Sequence, residues 1–478
     1  MAREFYQYGS TGTIADALGD VDGILPLDTL LVGSARTKSS DAWVTDSASA
    51  ATAFACGLKT YNAAIGVDPK QKPCATVLEA AKFKGYKTGL VATSRITHAT
   101  PAGWSAHIIE RDWENEIAAQ QIGDNVLGRS VDVMIGGGAR HFIPKSNKGS
   151  SRKDERDLRK EAVDKFGFRT VVESRAALLN VTGKDVPLLA LMAGSHMDYE
   201  IDRNKTAQPS LAEMANVALT LLSEATSDCD SPGFFLMVEG SRIDHAGHSN
   251  DVATHMHDIL AYQDAVHLVK SYVKANPATG ALSVSDHETG GLTKGAQVDQ
   301  SKDPGTFYNW HPEALLAVKM SVEKLSPIIA KAADAGIEAF VTEAVAKNLG
   351  IKDLAKPELD AILAARAVTN AKKAPSGVYP LDNALTEAVS RRAWAGWTTH
   401  GHTGMDVNLY AINAPGLRGN VDNTYLAKYS AEFLGVADAL PTLTKRLANQ
   451  KVTADTPVAT KRSVGPRDEH HRDERVYH

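Results

Sequence analysis

Residues Val44–Gly57 read V-T-D-S-A-S-A-A-T-A-F-A-C-G, and the rest of the chain is organised around them. Val44 and Thr45 close an apolar, β-branched approach that predicts a strand, and the small residues after Asp46-Ser47 predict a helix. A strand ending in Asp-Ser and flowing into an Ala-rich helix sets the Ser47 hydroxyl at the helix N-terminus. Backbone N–H groups and the positive end of the helix dipole favour an anion there. The small residues would let a bulky oxyanion approach the backbone. Taken alone, the plainer reading is an N-cap serine on an ordinary helix, since Ser and Asp are both favoured caps. The histidines and aspartates downstream decide against it.

Upstream lie a short helix at Ala2–Tyr8, a Gly/Thr turn and an irregular Asp/Gly-rich segment before a strand at Leu30–Thr37. No convincing first strand precedes them. Downstream, a polar loop at Lys59–Gly66 leads to a helix at Thr76–Gly85 and a buried strand at Thr88–Thr93, the crossover rhythm of a parallel sheet. That strand runs into S-R-I-T-H-A-T-P, so Thr97, His98 and Thr100 fall at its carboxyl edge, where such sheets place their sites. His107 and Arg111-Asp112-Trp113 are expected on a short helix. A strand at Val131–Ile135 closes on Gly136-Gly137-Gly138, read as a tight turn, and the charged stretch Lys145–Lys165 as a solvated excursion. Pro187–Ala193 is a further strand, and Ser210–Ala225 an amphipathic helix whose apolar stripe is core.

Gly233–Gly240 reads as a fully buried strand with Glu239 at its carboxyl end, followed by S-R-I-D-H-A-G-H and a long helix to about Tyr272. Ala281–Ser285 is the next buried strand and ends in Asp286-His287. Helix-rich sequence follows (Pro312–Ala346, Lys356–Arg366), and the sheet resumes over Trp397–Asn413, which carries His400, His402 and Asp406. The expected architecture is α/β, a central, mostly parallel sheet flanked by helices. A single domain over residues 1–460 would carry an inserted cap region at about 293–395, with a charged, disordered tail at 461–478.

Length and composition narrow the function. Lys+Arg 52 against Asp+Glu 57 is nearly balanced, which marks no nucleic-acid binder. Three cysteines (Cys56, Cys74, Cys229) are no disulfide framework, and the odd count leaves at least one thiol unpaired within the chain. No apolar run reaches the roughly 18–20 residues of a membrane span, and the start lacks the pattern of a signal peptide.

Asp244 and His248 stand four apart in D-H-A-G-H, which puts carboxylate and imidazole on one helix face. With a distant His402 they make a zinc-type donor set. Each piece is weak by itself. Their joint occurrence with Asp286-His287 and Asp46-Ser47 is strong, because each falls where a parallel sheet gathers its carboxyl ends.

The segments V-T-D-S-A-S-A-A-T-A, T-H-A-T-P-A, H-I-I-E-R-D-W, V-E-G-S-R-I-D-H-A-G-H, S-D-H-E-T-G-G and H-G-H-T-G resemble the alkaline phosphatase family in order, and F-F-L-M-V-E-G-S-R-I-D-H-A-G-H is most like its fungal vacuolar type. The resemblance covers about residues 1–435. It implies a phosphomonoester hydrolase of broad range that works through a phosphoseryl intermediate on Ser47, with two Zn2+ and one Mg2+. It also implies that Asp244, His248 and His402 hold the first zinc, and that Asp286, His287 and the Ser47 oxygen hold the second. Thr100 and Glu239 would serve the magnesium, with Asp46 beside the metals without binding one directly. Arg111 matches the guanidinium that grips two phosphate oxygens, a role lysine fills less well. His98 and His245 stand where the best-known bacterial members have an acid and a lysine, and are expected to tune the third metal and the phosphate contacts from behind. Small phosphate monoesters, inorganic phosphate, a homodimer and a vacuolar or secretory location follow from the same resemblance, with no signal or anchor in the chain as given.

One family feature is missing. An Asp followed by Gly-Met-Gly ends the family's first strand and bridges the second zinc and the magnesium, just upstream of a segment like Met1-Ala2-Arg3-Glu4-Phe5 here. Asp16, Asp20 and Asp22 are poor substitutes, with no buried strand leading into them. The expectation is a start-truncated form that holds the second Zn2+ and the Mg2+ weakly and turns over slowly. The alternatives are a catalytically silent metal-binding protein that keeps the fold, or another metal-dependent member of the superfamily such as a sulfatase or phosphodiesterase. Cys56 is no sulfatase nucleophile, since it lies inside the helix that Ser47 opens.

Overall fold

A computed structural model describes residues 1–13, 23–296, 308–374 and 379–454. The tail at 461–478 and Asp16, Asp20 and Asp22 lie outside the described residues. In chain order the strands are β1 (Leu31–Arg36), β2 (Lys87–Arg95), β3 (Val133–Gly137), β4 (Thr170–Val172), β5 (Leu188–Leu191), β6 (Phe234–Glu239) and β7 (Ala281–Val284). They continue with β8 (Glu288–Thr289), β9 (Thr293–Lys294), β10 (Ala395–Gly396), β11 (His402–Thr403), β12 (Val407–Ile412) and β13 (Gly419–Asp422).

Strands β4-β5-β3-β2-β6 form a sheet that is parallel throughout. Its centre is buried on both faces, which is why β2 and β3 read as continuous apolar runs rather than alternating ones. The helix Leu211–Glu224 lays Leu211, Met214, Ala218 and Leu221 against Val91, Val133 and Leu188 on one face. Val77 and Leu78 of the helix Val77–Phe83 and Ile122 of Glu114–Ile122 cover Leu90, Met134 and Leu189 on the other. Capping boxes, Thr76 with Glu79 and Ser210 with Glu213, start two of these helices where the sequence placed them. At the end of β3, a Cβ on Gly137 would lie 2.1 Å from the Ser195 carbonyl oxygen, so the glycine turn is set by close packing.

A second sheet, β13-β1-β12-β7, is mixed: β12 runs antiparallel to β1 and β7, and β13 parallel to β1. The two sheets flank one seam. Phe235 and Met237 of β6 and Leu282 and Val284 of β7 pack on the same apolar cluster. On the opposite face Tyr262, from the helix Val252–Ala275, packs with Phe234, Leu236 and Val238 and meets the Ser283 hydroxyl at 2.7 Å. Among the described residues no strand pairs with the outer edge of β6 or β7. Both are read from sequence as buried, the first of them fully. Both are instead half-buried at every position, because each is the last strand of its sheet.

Three further local expectations fail for visible reasons. Val44–Asp46 is a loop rather than a strand, since Asn62 satisfies its backbone: the Asp46 N–H donates to Asn62 Oδ1 (3.1 Å) and Asn62 Nδ2 to the Val44 carbonyl (3.1 Å). His107–Trp113 is not helical. Ile108 pairs with Ile65, and the Arg111 N–H donates to the Ala63 carbonyl (2.9 Å), holding the segment extended against the loop after the Ser47 helix. The Lys145–Lys165 excursion ends in a helix, Leu158–Asp164, that buries Leu158 and Ala162. The helices between Pro312 and Ala393 gather an apolar core that Phe5 of the first helix joins.

Candidate active site

The helix Ser47–Cys56 is capped by Asp46, not by Ser47. Asp46 Oδ1 accepts the Ser49 N–H (2.9 Å), while its Oδ2 accepts the Ala63 N–H (2.8 Å) and an Arg111 N–H (3.1 Å). Burial would raise the Asp46 carboxyl; Arg111 and the two backbone donors overcome it and hold it below the usual carboxylate range. Capping by Asp46 leaves the Ser47 hydroxyl to point elsewhere, at His287 Nε2, 2.9 Å away. The alanines of this helix serve packing: Ala48, Ala50, Ala51, Ala53 and Ala55 are buried, and a Cβ on Gly103 would lie 2.7 Å from that of Ala51.

Asp244 and His248 share the helix Arg242–His248, and His402 opens β11. His248 Nδ1 donates to the His400 carbonyl and His402 Nδ1 to the Thr45 carbonyl (2.7 Å). A carbonyl only accepts, so both rings carry their proton on Nδ1 and turn an Nε2 lone pair inward. The two Nε2 atoms face each other at 3.0 Å, with Asp244 oxygens at 3.4 Å from His248 and 3.7 Å from His402. Three electron-rich atoms converge with no proton between the nitrogens, an arrangement a cation would relieve. Burial and the neighbouring His287 and His248 push His402 down to about 3, so its ring stays neutral and able to ligate.

A second donor set lies alongside. The Thr289 hydroxyl donates to Asp244 Oδ1 (2.5 Å) and therefore accepts from His287 Nδ1 (3.1 Å). With Nδ1 donating, a neutral His287 keeps a lone pair on Nε2, which faces Ser47 Oγ and lies 3.2 Å from Asp286 Oδ2. Burial lowers the ring's pKa but Asp286 outweighs it and raises it, so a proton and a cation compete for this nitrogen. Asp286 Oδ2 is buried with no hydrogen-bond donor. Asp286, His287 and Ser47 fit a cation in the same way. The His287 and His402 rings stack, 3.4 Å between centroids, so the two sets are neighbours.

Glu239 ends β6 and takes hydrogen bonds from the Ser241 hydroxyl (2.5 Å) and from Thr100. Burial lifts it to about 7, with Ser241 opposing and Asp286 adding to the rise. Arg111 is buried between Asp46 and His98, whose Nε2 accepts its other N–H at 3.3 Å. His98 and His245 sit behind the site with a third ring that the sequence did not single out, His196. Arg242 donates to His245 Nδ1 (2.9 Å), and the Arg95 guanidinium and backbone N–H approach the two nitrogens of His196 (2.6 and 3.2 Å). Arginine N–H groups thus reach a nitrogen on each of the three rings. Burial and the flanking arginines hold His196 and His245 well below the usual histidine range. Glu114, also unread from sequence, anchors Arg95 (2.8 Å) and accepts the Thr97 hydroxyl (2.5 Å). His400 supports His248 through its carbonyl, while Asp406 turns away to Asn420.

Not all of these groups end parallel strands, as the sequence suggested: Asp244 follows β6 of the parallel sheet, but Asp286-His287 follows β7 of the mixed sheet, His402 opens β11, and a loop leads into Ser47. A helix-seated serine, an anchored arginine and paired Asp/His donor sets fit a hydrolase of phosphoric monoesters. The chain belongs to the alkaline phosphatase family, whose family model matches residues 12–436. It is 41% identical to the alkaline phosphatase of Schizosaccharomyces pombe, over 92% of this chain and 81% of that one. It is 42% identical to the repressible alkaline phosphatase of Saccharomyces cerevisiae, over 95% and 81%. Among solved structures it is similar to the cold-active alkaline phosphatase of a psychrophilic Shewanella species, at a TM-score of 0.73 and 30% identity, covering 91% of this chain and 95% of that one.

Proposed function

We propose that the chain cleaves phosphate monoesters of broad range by attack of Ser47 Oγ on phosphorus, forming a phosphoserine that water then hydrolyses. The observation that carries this reading is the Ser47 hydroxyl at a helix N-terminus, 2.9 Å from an imidazole nitrogen and beside a buried arginine that Asp46 orients. Asp244, His248 and His402 would hold one zinc ion, Asp286, His287 and Ser47 a second, and Glu239 with Thr100 a magnesium. Bound metal ions supply Lewis-acid charge that makes a coordinated hydroxyl or water nucleophilic at neutral pH and offsets the charge of the phosphate. Arg111 grips two phosphoryl oxygens with one edge of its guanidinium. In the first step the serine oxygen bonds to phosphorus and the ester oxygen leaves; in the second, water replaces serine and inorganic phosphate departs.

The third position gathers two protein donors among the described residues, Glu239 and Thr100, beside the open seam between β6 and β7. We infer that the Mg2+ and the second Zn2+ are held more weakly than the first Zn2+, and that turnover is correspondingly slow. Hydrolysis of p-nitrophenyl phosphate, titrated with Zn2+ and Mg2+, tests both halves. Activity that needs metals and Ser47 supports the reading. Full activity with three metals per chain removes the impairment, and metal binding without any turnover makes the protein a silent relative. The resemblance to the fungal vacuolar type supports a homodimer and a vacuolar or secretory location, which light scattering and localisation of a tagged chain would test.

A further inference from the structure

Cys56 is the last residue of the Ser47 helix, and Cys74 closes the loop that follows it, two residues before the Thr76 cap of the helix Val77–Phe83. Their sulfurs lie 2.6 Å apart, closer than unbonded sulfurs rest, and Cys56 Sγ is 3.1 Å from the Cys74 carbonyl. The backbone at Cys74 is pinned: its N–H donates to the Gly66 carbonyl (3.0 Å), and the Ala75 N–H donates to Thr444 Oγ1 (3.1 Å). At the other side Gly57, in the left-handed region, ends the helix with its N–H on the Ala53 carbonyl. The chain on both sides thus keeps the two sulfurs within reach of each other. Cys229 is exposed on a loop and is not part of this contact.

We propose that Cys56 and Cys74 form a disulfide in an oxidising compartment, stapling the far end of the nucleophile helix to the cap of the next one. With a small-molecule disulfide such as oxidised glutathione as oxidant, one cysteine thiolate attacks a sulfur of the small disulfide, giving a mixed disulfide and one released thiol. The second cysteine then attacks the protein sulfur of that mixed disulfide and releases the second small thiol. Two cysteine S–H groups become one S–S bond, the small disulfide is reduced to two thiols, and the two protons end on them. Burial, with Cys74 alongside, raises the Cys56 thiol well above its usual range, so closure belongs to folding rather than to the finished fold. The staple constrains the unfolded chain and steadies the helix that carries Ser47.

The test is peptide mapping of the full chain after secretion or refolding with oxidised glutathione, with free thiols alkylated under denaturing conditions. The expected result is alkylation of Cys229 alone and a cross-linked Cys56–Cys74 peptide that vanishes on reduction. Reduction should also lower the melting midpoint by several degrees, and a C56A chain should show no such shift. Alkylation of all three cysteines, glutathione capping without a cross-link, or a bond that uses Cys229 would overturn the proposal.

Discussion

Arg111→Ala removes the guanidinium that is to grip the phosphate, and its consequences can be sized from its contacts. A charge-assisted hydrogen bond contributes about 1.5–3 kcal/mol. Losing that grip should weaken inhibition by inorganic phosphate by roughly 10- to 150-fold, at about 1.4 kcal/mol per tenfold. The same change strips Asp46 of its cation, yet Asp46 keeps the N–H groups of Ser49 and Ala63, so the Ser47 helix retains its cap. Stability should fall by about 1–3 kcal/mol for the buried carboxylate left short of a donor. Without Arg111 the Asp46 carboxyl loses the largest influence holding it down, so its titration moves up toward the ordinary carboxylate range. Assays above pH 7 are outside that range, and the effect on phosphate is read cleanly there. KM should rise more than kcat falls, because the Asp/His sets are untouched. Phosphate inhibition within twofold of the parent, in a variant that is folded at the assay temperature, would refute the assignment.

Chelation should lower the melting midpoint and abolish activity together, because without a cation the Nε2 atoms of His248 and His402 face each other at 3.0 Å. A midpoint unchanged by a chelator would count against a metal there. Glu114→Gln should cost about 3–5 kcal/mol in urea unfolding, since it removes the carboxylate that meets Arg95 at 2.8 Å in a buried ion pair. Burial raises the Glu114 carboxyl, but Arg95 and His141 drive it well below the ordinary range. Its contribution is therefore full above the unfolded pKa of about 4.3 and lost as pH falls through the folded value, so the variant should lose this acid sensitivity. His107 runs the other way. Burial lowers its pKa, but Glu79, 2.8 Å away, outweighs that and raises it. Its stabilisation is full below about pH 6.5 and fades as pH climbs through the folded value, so His107→Gln should flatten the decline of stability on the alkaline side, read by thermal unfolding across pH.

The site was more legible in the sequence than the sheet around it. Asp244 with His248, and Asp286 with His287, could be read because local spacing and a strand end fix where those side chains go. His196, Arg95, Arg242 and Glu114 could not, because their partners come from afar. Arg95 meets His196 across 101 residues and Glu114 across 19, and Arg242 meets Glu323 across 81. The strand expected at Val44-Thr45 fails on a contact of the same kind, since Asn62 supplies from another loop what a neighbouring strand would have supplied. Phe234–Glu239 and Ala281–Val284 read as buried because their residues are apolar. Hydropathy records what a strand is made of, whereas burial depends on whether another strand lies beside it.

The most direct test is to quench the protein in acid during turnover of p-nitrophenyl phosphate, with Zn2+ and Mg2+ present, and map phosphate by peptide mass spectrometry. The expected result is one phosphate on the peptide that contains Ser47, absent from a Ser47→Ala chain that also loses hydrolysis while still binding zinc. Undiminished hydrolysis by Ser47→Ala, with no phosphate trapped on Ser47 in the parent, would contradict a serine nucleophile.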